Sequence, residues 1–255
     1  MGRIYIAAHK QFEVPDDPAY RPLFVGKSAD CGWDGERDNV GDNISDKNRF
    51  YCELTGIYWM WKNAPESDYL GLVHYRRYFC HKDDKKRLTG DEIETLMEKF
   101  DAVLPRKRSY YIETCYSHYK HAHNIHDLDT AREVICELCP GYADDFDRMM
   151  KQRSIYIYNM FILKRDIFNR YCEWLFPILF ELENRIDISR YDDYNLRVFG
   201  FIAERLFNVW LGHQQLHVCE MPVVFTEKQN LPLKYIGFVV RKFTGGRRYE
   251  KKQTD

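Results

Sequence analysis

The chain has 255 residues, 45% hydrophobic and 30% charged, with a formal net charge of −1. That length suits one large α/β domain or two small ones, and the composition is that of a soluble globular protein. The near-zero charge excludes a global field that draws a protein to nucleic acid, and no window reaches the ~18 apolar residues of a membrane span.

Aromatic residues make up 16% of the chain, an excess that implies a large core or a cleft that stacks rings. The opening "MGRIYIAAHK" lacks a signal-peptide layout, because its apolar run stops at His9-Lys10. A cytoplasmic protein is therefore expected. The 8 cysteines are scattered and read as buried free thiols, and Cys136-Glu137-Leu138-Cys139 lacks the second pair that a zinc site needs.

In chain order, 3–10 and 21–29 read as strands around a Pro/Asp-rich loop. Residues 30–43 form a long turn-rich stretch containing Gly32, Gly35 and Gly41. Residues 43–64 turn helical, capped by Asn43 or Ser45, with Phe50, Leu54, Ile57 and Trp61 on one apolar stripe. Residues 67–79 are a third strand. Thr89 caps a helix with acids in its first turn, and 100–108 is a strand stopped by Pro105. Residues 110–150 are polar, histidine-rich and helical. Residues 154–168 read as one continuous strand, rich in Ile, Tyr and Phe. Two helices follow over 168–186, with Pro177 as a kink or break, and 198–214; 217–227 is a last short strand.

Strands alternating with helices predict a mostly parallel sheet, in which ligands bind beyond the carboxyl ends of the strands. "GLVHYRRYFC" (71–80) therefore stands out, because His74, Arg76 and Arg77 follow a buried strand at that edge. Guanidinium groups hold phosphate in a bidentate way, although an ion pair with nearby acids is the plain alternative.

Three further clusters could carry chemistry. Asp42, Asn43, Ser45 and Asn48 sit at a loop-to-helix junction, suited to an anionic or polyhydroxyl ligand or to simple capping. His118, His121, His123 and His126 lack the H-E-x-x-H pattern and have only Asp127 as a nearby carboxylate, which favours a surface helix with one functional histidine over a metal site. Asp192, Asp193 and Glu204 supply candidate general bases. Asp192 or Asp193 could equally cap a helix, and Glu204 could pair with Arg205. No P-loop or G-x-G-x-x-G is present.

The stretches "IYIAAHK", "GDNISDKNRFYCELTGIYWMWKN", "DYLGLVHYRRYF", "AHNIHDLD", "YNMFILKR", "YCEWLFPILFELE" and "GFIAERL" resemble, in this order, the bacterial family of capsular or exopolysaccharide biosynthesis proteins, a domain of unknown function grouped with glycosyltransferases. The resemblance spans about residues 3 to 225. It implies a GT-A-like, Rossmann-type α/β fold over a single domain, 1–240; the remaining stretch, "RKFTGGRRYEKKQTD" (241–255), is basic and polar by composition and is expected to be a partly disordered tail. It also implies transfer of a hexose, galactose being the candidate, from a nucleotide-sugar, UDP-linked, to a lipid-linked glycan acceptor at the inner membrane. Many GT-A enzymes hold a divalent Mn or Mg ion on an Asp-x-Asp at the end of a central strand. No Asp-x-Asp is found at that place, where His74-Tyr75-Arg76 stands, so metal dependence is left open between a divalent Mn or Mg ion and a metal-independent reaction in which Arg76 or Arg77 neutralises the diphosphate, and no metal ligand is assigned.

By this resemblance His9, Asn43, Ser45, Asn48, His74, Arg76 and Arg77 fall on the donor side, and His123 and Asn159 on the acceptor side. Glu204 or Asp193 is the candidate base. The alternative is a non-catalytic carbohydrate-binding or scaffold subunit of a polysaccharide assembly complex, and a nucleotide-sugar hydrolase or phosphotransferase is a second rival.

Overall fold

The structure is a computed structural model and describes residues 2–227. The basic tail expected over 241–255, and the end of the domain after residue 227, lie outside the described residues.

The chain opens with β1 (Arg3–Ala8), β2 (Tyr20–Phe24) and the short β3 (Glu36–Arg37), followed by α1 (Asn48–Tyr51) and α2 (Leu54–Asn63). Next come β4 (Tyr69–His74), β5 (Arg77–Phe79), α3 (Gly90–Lys99), β6 (Ala102–Pro105) and β7 (Arg108–Ser109). Three helices follow: α4 (Cys115–Ala122), α5 (Ile125–Leu138) and α6 (Ala143–Met150). The chain continues through β8 (Ser154–Ile155), β9 (Phe161–Lys164), α7 (Arg165–Arg185) and α8 (Val198–His213) to β10 (Val218–Met221) and β11 (Val223–Phe225).

The central sheet runs β10-β6-β9-β4-β1-β2-β3. All of these strands are parallel except β9, which runs antiparallel to both β4 and β6. The expected mostly parallel α/β architecture is present. Helices cover both faces, and strand side chains alternate between two cores. Tyr5, Ala7, Leu70, Leu72 and Phe161 face the larger core, which takes in α2, α5, α7 and α8. Ile4, Ile6, Val73 and Ile162 face the smaller core, closed by Ile93 and Met97 of α3.

Several expected elements change. The helix over 43–64 is broken at Cys52, whose φ is 54°, so α1 and α2 are separate. The strand expected over 154–168 is interrupted: Tyr158 and Asn159 have φ of 83° and 46°, β8 pairs with β7 while β9 pairs with β4 and β6, and 165–168 already belong to α7. Pro177 neither ends nor divides α7. It sits on the exposed side of the helix, where a missing N–H bond is tolerated. Of the cysteines, all free, only Cys80, Cys115 and Cys172 are buried, and Cys31 is exposed.

Candidate functional site

The carboxyl ends of β1, β2 and β4 open into one cleft of about 480 Å³. Ala7, Ala8 and His9 supply one wall, Val25 a corner, and His74 to Arg77 another wall. Asn48, Arg49, Cys52 and Glu53 enter from the helical side, while Tyr158, Asp193, Arg197 and Glu204 close the opposite side. Two surface depressions of about 750 and 650 Å³ are larger. They lie at the amino ends of β4 (Asp68, Tyr69) and β2 (Tyr20, Arg21), the wrong edge for an α/β ligand site.

The interrupted strand explains how the site is built. The Tyr158 amide donates to Glu204 Oε1 at 2.8 Å, and His74 Nε2 donates to the Tyr158 carbonyl at 2.6 Å. Asn159 Nδ2 donates to Glu53 Oε1 at 2.8 Å and to the Gly200 carbonyl at 3.2 Å. A regular strand would spend these backbone groups on a ladder. The left-handed turn at 158–159 aims them at site side chains instead, at a conformational cost of roughly 1–3 kcal/mol per residue. Positive φ at Cys52, directly before Glu53, adds a third strained position around the same cleft.

β4 ends at His74 and the chain turns back into β5, so Arg76 and Arg77 take different surroundings. The Arg77 guanidinium lies over the Tyr158 ring, 4.5 Å from its centroid, and 5.8 Å from that of Phe225. Its buried Nε has no hydrogen-bond partner among the described residues. Arg76 lies over the Tyr75 ring at 4.9 Å and pairs with Glu227 at 3.2 Å. Tyr75 Oη in turn hydrogen-bonds His9 Nε2 at 3.2 Å.

Charge is balanced locally. Burial raises the Glu204 carboxyl above the ordinary range, opposed by the adjacent Arg205, whose Nη1 sits 3.1 Å from Glu204 Oε2. Burial lowers the His74 imidazole, opposed by Glu53 and reinforced by Arg77. Partial burial, then the charges of Arg76 and Lys10, hold His9 below its usual range. Burial pushes the Cys52 thiol up to about 11, so it is a neutral neighbour of Arg197 Nε, 3.2 Å away.

His9, Asn48, His74, Arg76, Arg77, Asp193 and Glu204 therefore meet in one cleft. Asp193 sits at its rim, 91% exposed, paired with Arg49 at 3.2 Å. Asn159 lies beneath it as the support of Glu53. Asn43, Ser45 and His123 are not brought to the cleft wall. Asn43 closes its own turn, accepting from the Ser45 amide. Ser45 Oγ donates at 2.6 Å to the fully buried Asp38, which also accepts from Thr55 and the Gly26 amide. His123 is buried in an aromatic stack with Phe201 and Tyr194, with Nδ1 3.2 Å from Asn195 Oδ1. The sequence reading missed Glu53, Arg49, Arg197 and Tyr158. Glu53 carried a usable signal, as a carboxylate isolated in the apolar run "RFYCELTGIYW".

Two Asp-x-Asp spacings do occur elsewhere in the chain, Asp127-Leu128-Asp129 and Asp145-Phe146-Asp147, neither at the end of a central strand. Both lie in helices, where residues two apart do not face each other. Their carboxylates are also committed: Asp127 to Tyr191, Asp129 to Tyr116, Asp145 to His213 and Arg148, and Asp147 to Arg132. Among the described residues no three His, Cys, Asp or Glu side chains converge as a metal site. Arginines crowd the cleft carboxylates, a poor donor set for a divalent ion. No helix among the described residues is long and apolar enough to cross a membrane.

No curated protein matches this chain at a significant level. Among solved structures, the apo form of WbbM, a bifunctional glycosyltransferase, superposes with a TM-score of 0.82 at 34% sequence identity. The match covers 89% of this chain and 45% of that one, so this chain spans less than half of that protein's length. The sequence profile of the domain of unknown function DUF4422 matches residues 3–215, and the chain belongs to that family.

Proposed function

We propose that the protein is a glycosyltransferase that moves a hexose from a nucleotide-sugar to a glycan acceptor in surface polysaccharide synthesis. One observation carries the reading: a cleft at the carboxyl edge of the sheet sets Arg76, Arg77 and Arg197 against Glu53 and Glu204. The similarity to a solved glycosyltransferase supports it. The uridine nucleotide, galactose as the hexose, the lipid-linked acceptor and a peripheral place at the inner membrane rest on the sequence resemblance.

In this reading the donor lies across the strand ends, its diphosphate beside Arg76 and Arg77. Glu204 takes the proton from an acceptor hydroxyl. That oxygen bonds to the anomeric carbon while the bond to the diphosphate breaks, its electron pair leaving with the diphosphate. The arginines stabilise the charge that develops there, the task a divalent ion performs in related folds. Burial raises the Glu204 carboxyl towards neutrality, which suits a base better than the exposed Asp193 at the rim.

The test is transfer of labelled sugar from a nucleotide-sugar panel to membrane lipid acceptors. Glu204→Gln should lower kcat by about 10²-fold or more with little change in donor KM. Full activity of an Arg76→Ala, Arg77→Ala double variant would overturn the arginine role. Loss of all wild-type activity in chelator, restored by manganese, would do the same. Glycan binding without transfer from any donor would replace this reading with the scaffold one.

A further inference from the structure

Residues 223–227 return to the cleft from the far end of the described chain. β11 pairs antiparallel with β5, the Thr226 amide donates to the Arg76 carbonyl at 3.2 Å, and Thr226 Oγ1 lies 3.4 Å from the Tyr75 carbonyl. This strap delivers one carboxylate to the cleft edge. Glu227 Oε1 pairs with Lys10 Nζ at 2.9 Å and Glu227 Oε2 pairs with Arg76 Nη1 at 3.2 Å. Both cations sit over the same ring, Lys10 at 5.2 Å and Arg76 at 4.9 Å from the Tyr75 centroid. Two cations gathered at one ring repel each other, and the Glu227 carboxylate that pairs with both offsets that repulsion.

The side chains of Lys10, Arg76 and Glu227 are 52%, 39% and 44% exposed. Pairs this open are weak and screened by salt, so a polyanion displaces the carboxylate readily. A diphosphate brings more charge and more acceptor oxygens than Glu227 and matches a guanidinium in a bidentate way.

We propose that Glu227 is a built-in counter-anion that holds Lys10 and Arg76 in place until the diphosphate of the ligand displaces it, and that Lys10 belongs to the anion-binding set of the cleft. The inference rests on the nucleotide-sugar reading. It adds that the strap makes the cleft select polyanionic ligands, because a neutral sugar cannot replace the carboxylate between two cations.

The test is titration of the full chain with inorganic pyrophosphate and with UDP at low salt. The forms compared are wild type, Glu227→Gln, Lys10→Met and Arg76→Ala, with melting temperatures confirming that each folds. Glu227→Gln should bind both ligands about two- to fivefold tighter, and Lys10→Met should bind them weaker by a similar factor. The gain in Glu227→Gln should shrink at high salt, where exposed charges are screened. If wild type binds, Arg76→Ala weakens binding, and yet Glu227→Gln binds no tighter, the counter-anion is overturned while the cleft reading stands. If Lys10→Met binds as wild type does, Lys10 is not part of the set. If neither ligand binds wild type, the cleft reading fails and takes this inference with it.

Discussion

Asn159 donates its side-chain amide to Glu53 at 2.8 Å, joining residues 106 positions apart across the floor of the cleft. Asn159 is 3% exposed and held at φ 46°, so its amide bonds a cleft carboxylate from a backbone conformation that most residues avoid. Asn159→Ala should remove the bonds to Glu53 and to the Gly200 carbonyl, at a cost of about 2 kcal/mol in denaturant unfolding. Asn159→Gly accepts the positive φ, so it should lose less stability but as much transfer activity. Equal activity in Asn159→Gly and wild type would show that Glu53 does not need this support.

Arg77 is held by ring faces, Tyr158 on one side and Phe225 further off, and a planar guanidinium fits that position better than an ammonium. Arg77→Lys should keep the fold and the charge but weaken UDP binding roughly tenfold or more, because the stacked fork is lost. Calorimetric titration checks this, and wild-type affinity in Arg77→Lys would place the diphosphate elsewhere.

Asp127 sits in the first turn of α5, accepts a hydrogen bond from Tyr191 Oη at 2.6 Å, and burial raises its carboxyl from 3.8 to about 6. A raised carboxyl favours folding while it is protonated. That contribution is complete below about pH 4 and is lost as pH rises towards 6. Asp127→Asn mimics the protonated form. Its stability relative to wild type should therefore improve across this window, by roughly 2–3 kcal/mol, and stay level above about pH 7. Melting curves of both proteins from pH 4 to 8 measure the difference. A flat difference would mean that the carboxylate is already compensated.

Gly26 follows β2 with φ of 58°, and a Cβ there would meet Asn48 Oδ1 at 2.3 Å. Asn48 lines the cleft and holds the Cys52 carbonyl and the Thr55 hydroxyl. Gly26→Ala should cost about 1–2 kcal/mol and disturb the cleft through Asn48. Asp38→Ala, which strips the acceptor from Gly26, Ser45 and Thr55, should cost more, about 3 kcal/mol. Chemical denaturation ranks the two, and the reverse order would show that the Asp38 network is weakly coupled to the fold.

Some of the site was legible because it is local. The apolar run of β4 ends in charge, and a parallel sheet puts strand ends at the ligand edge, so His74, Arg76 and Arg77 could be placed from pattern alone. Glu204 was visible as a buried charge in the apolar helix α8. Other residues were misplaced because their partners are distant or hidden in the pattern. Asn43 and Ser45 looked like ligand-binding groups at a helix start, yet Ser45 serves Asp38, whose burial no local periodicity reveals. The run 154–168 is rich in strand-forming residues, yet the docking of Tyr158 and Asn159 against α8 and Glu53 breaks its middle and its last four residues open α7.

The sequence by itself determined the alternation of strands and helices, the two-sided burial of the sheet and the charged end of β4, because these follow from hydrophobic period and chain order. Tertiary structure decided which carboxylates enter the cleft, the reversed direction of β9, the turn at 158–159 and the return of Glu227 to Lys10 and Arg76. Each of these depends on contacts between residues far apart in the chain, where packing and hydrogen bonding outweigh the local conformational preference.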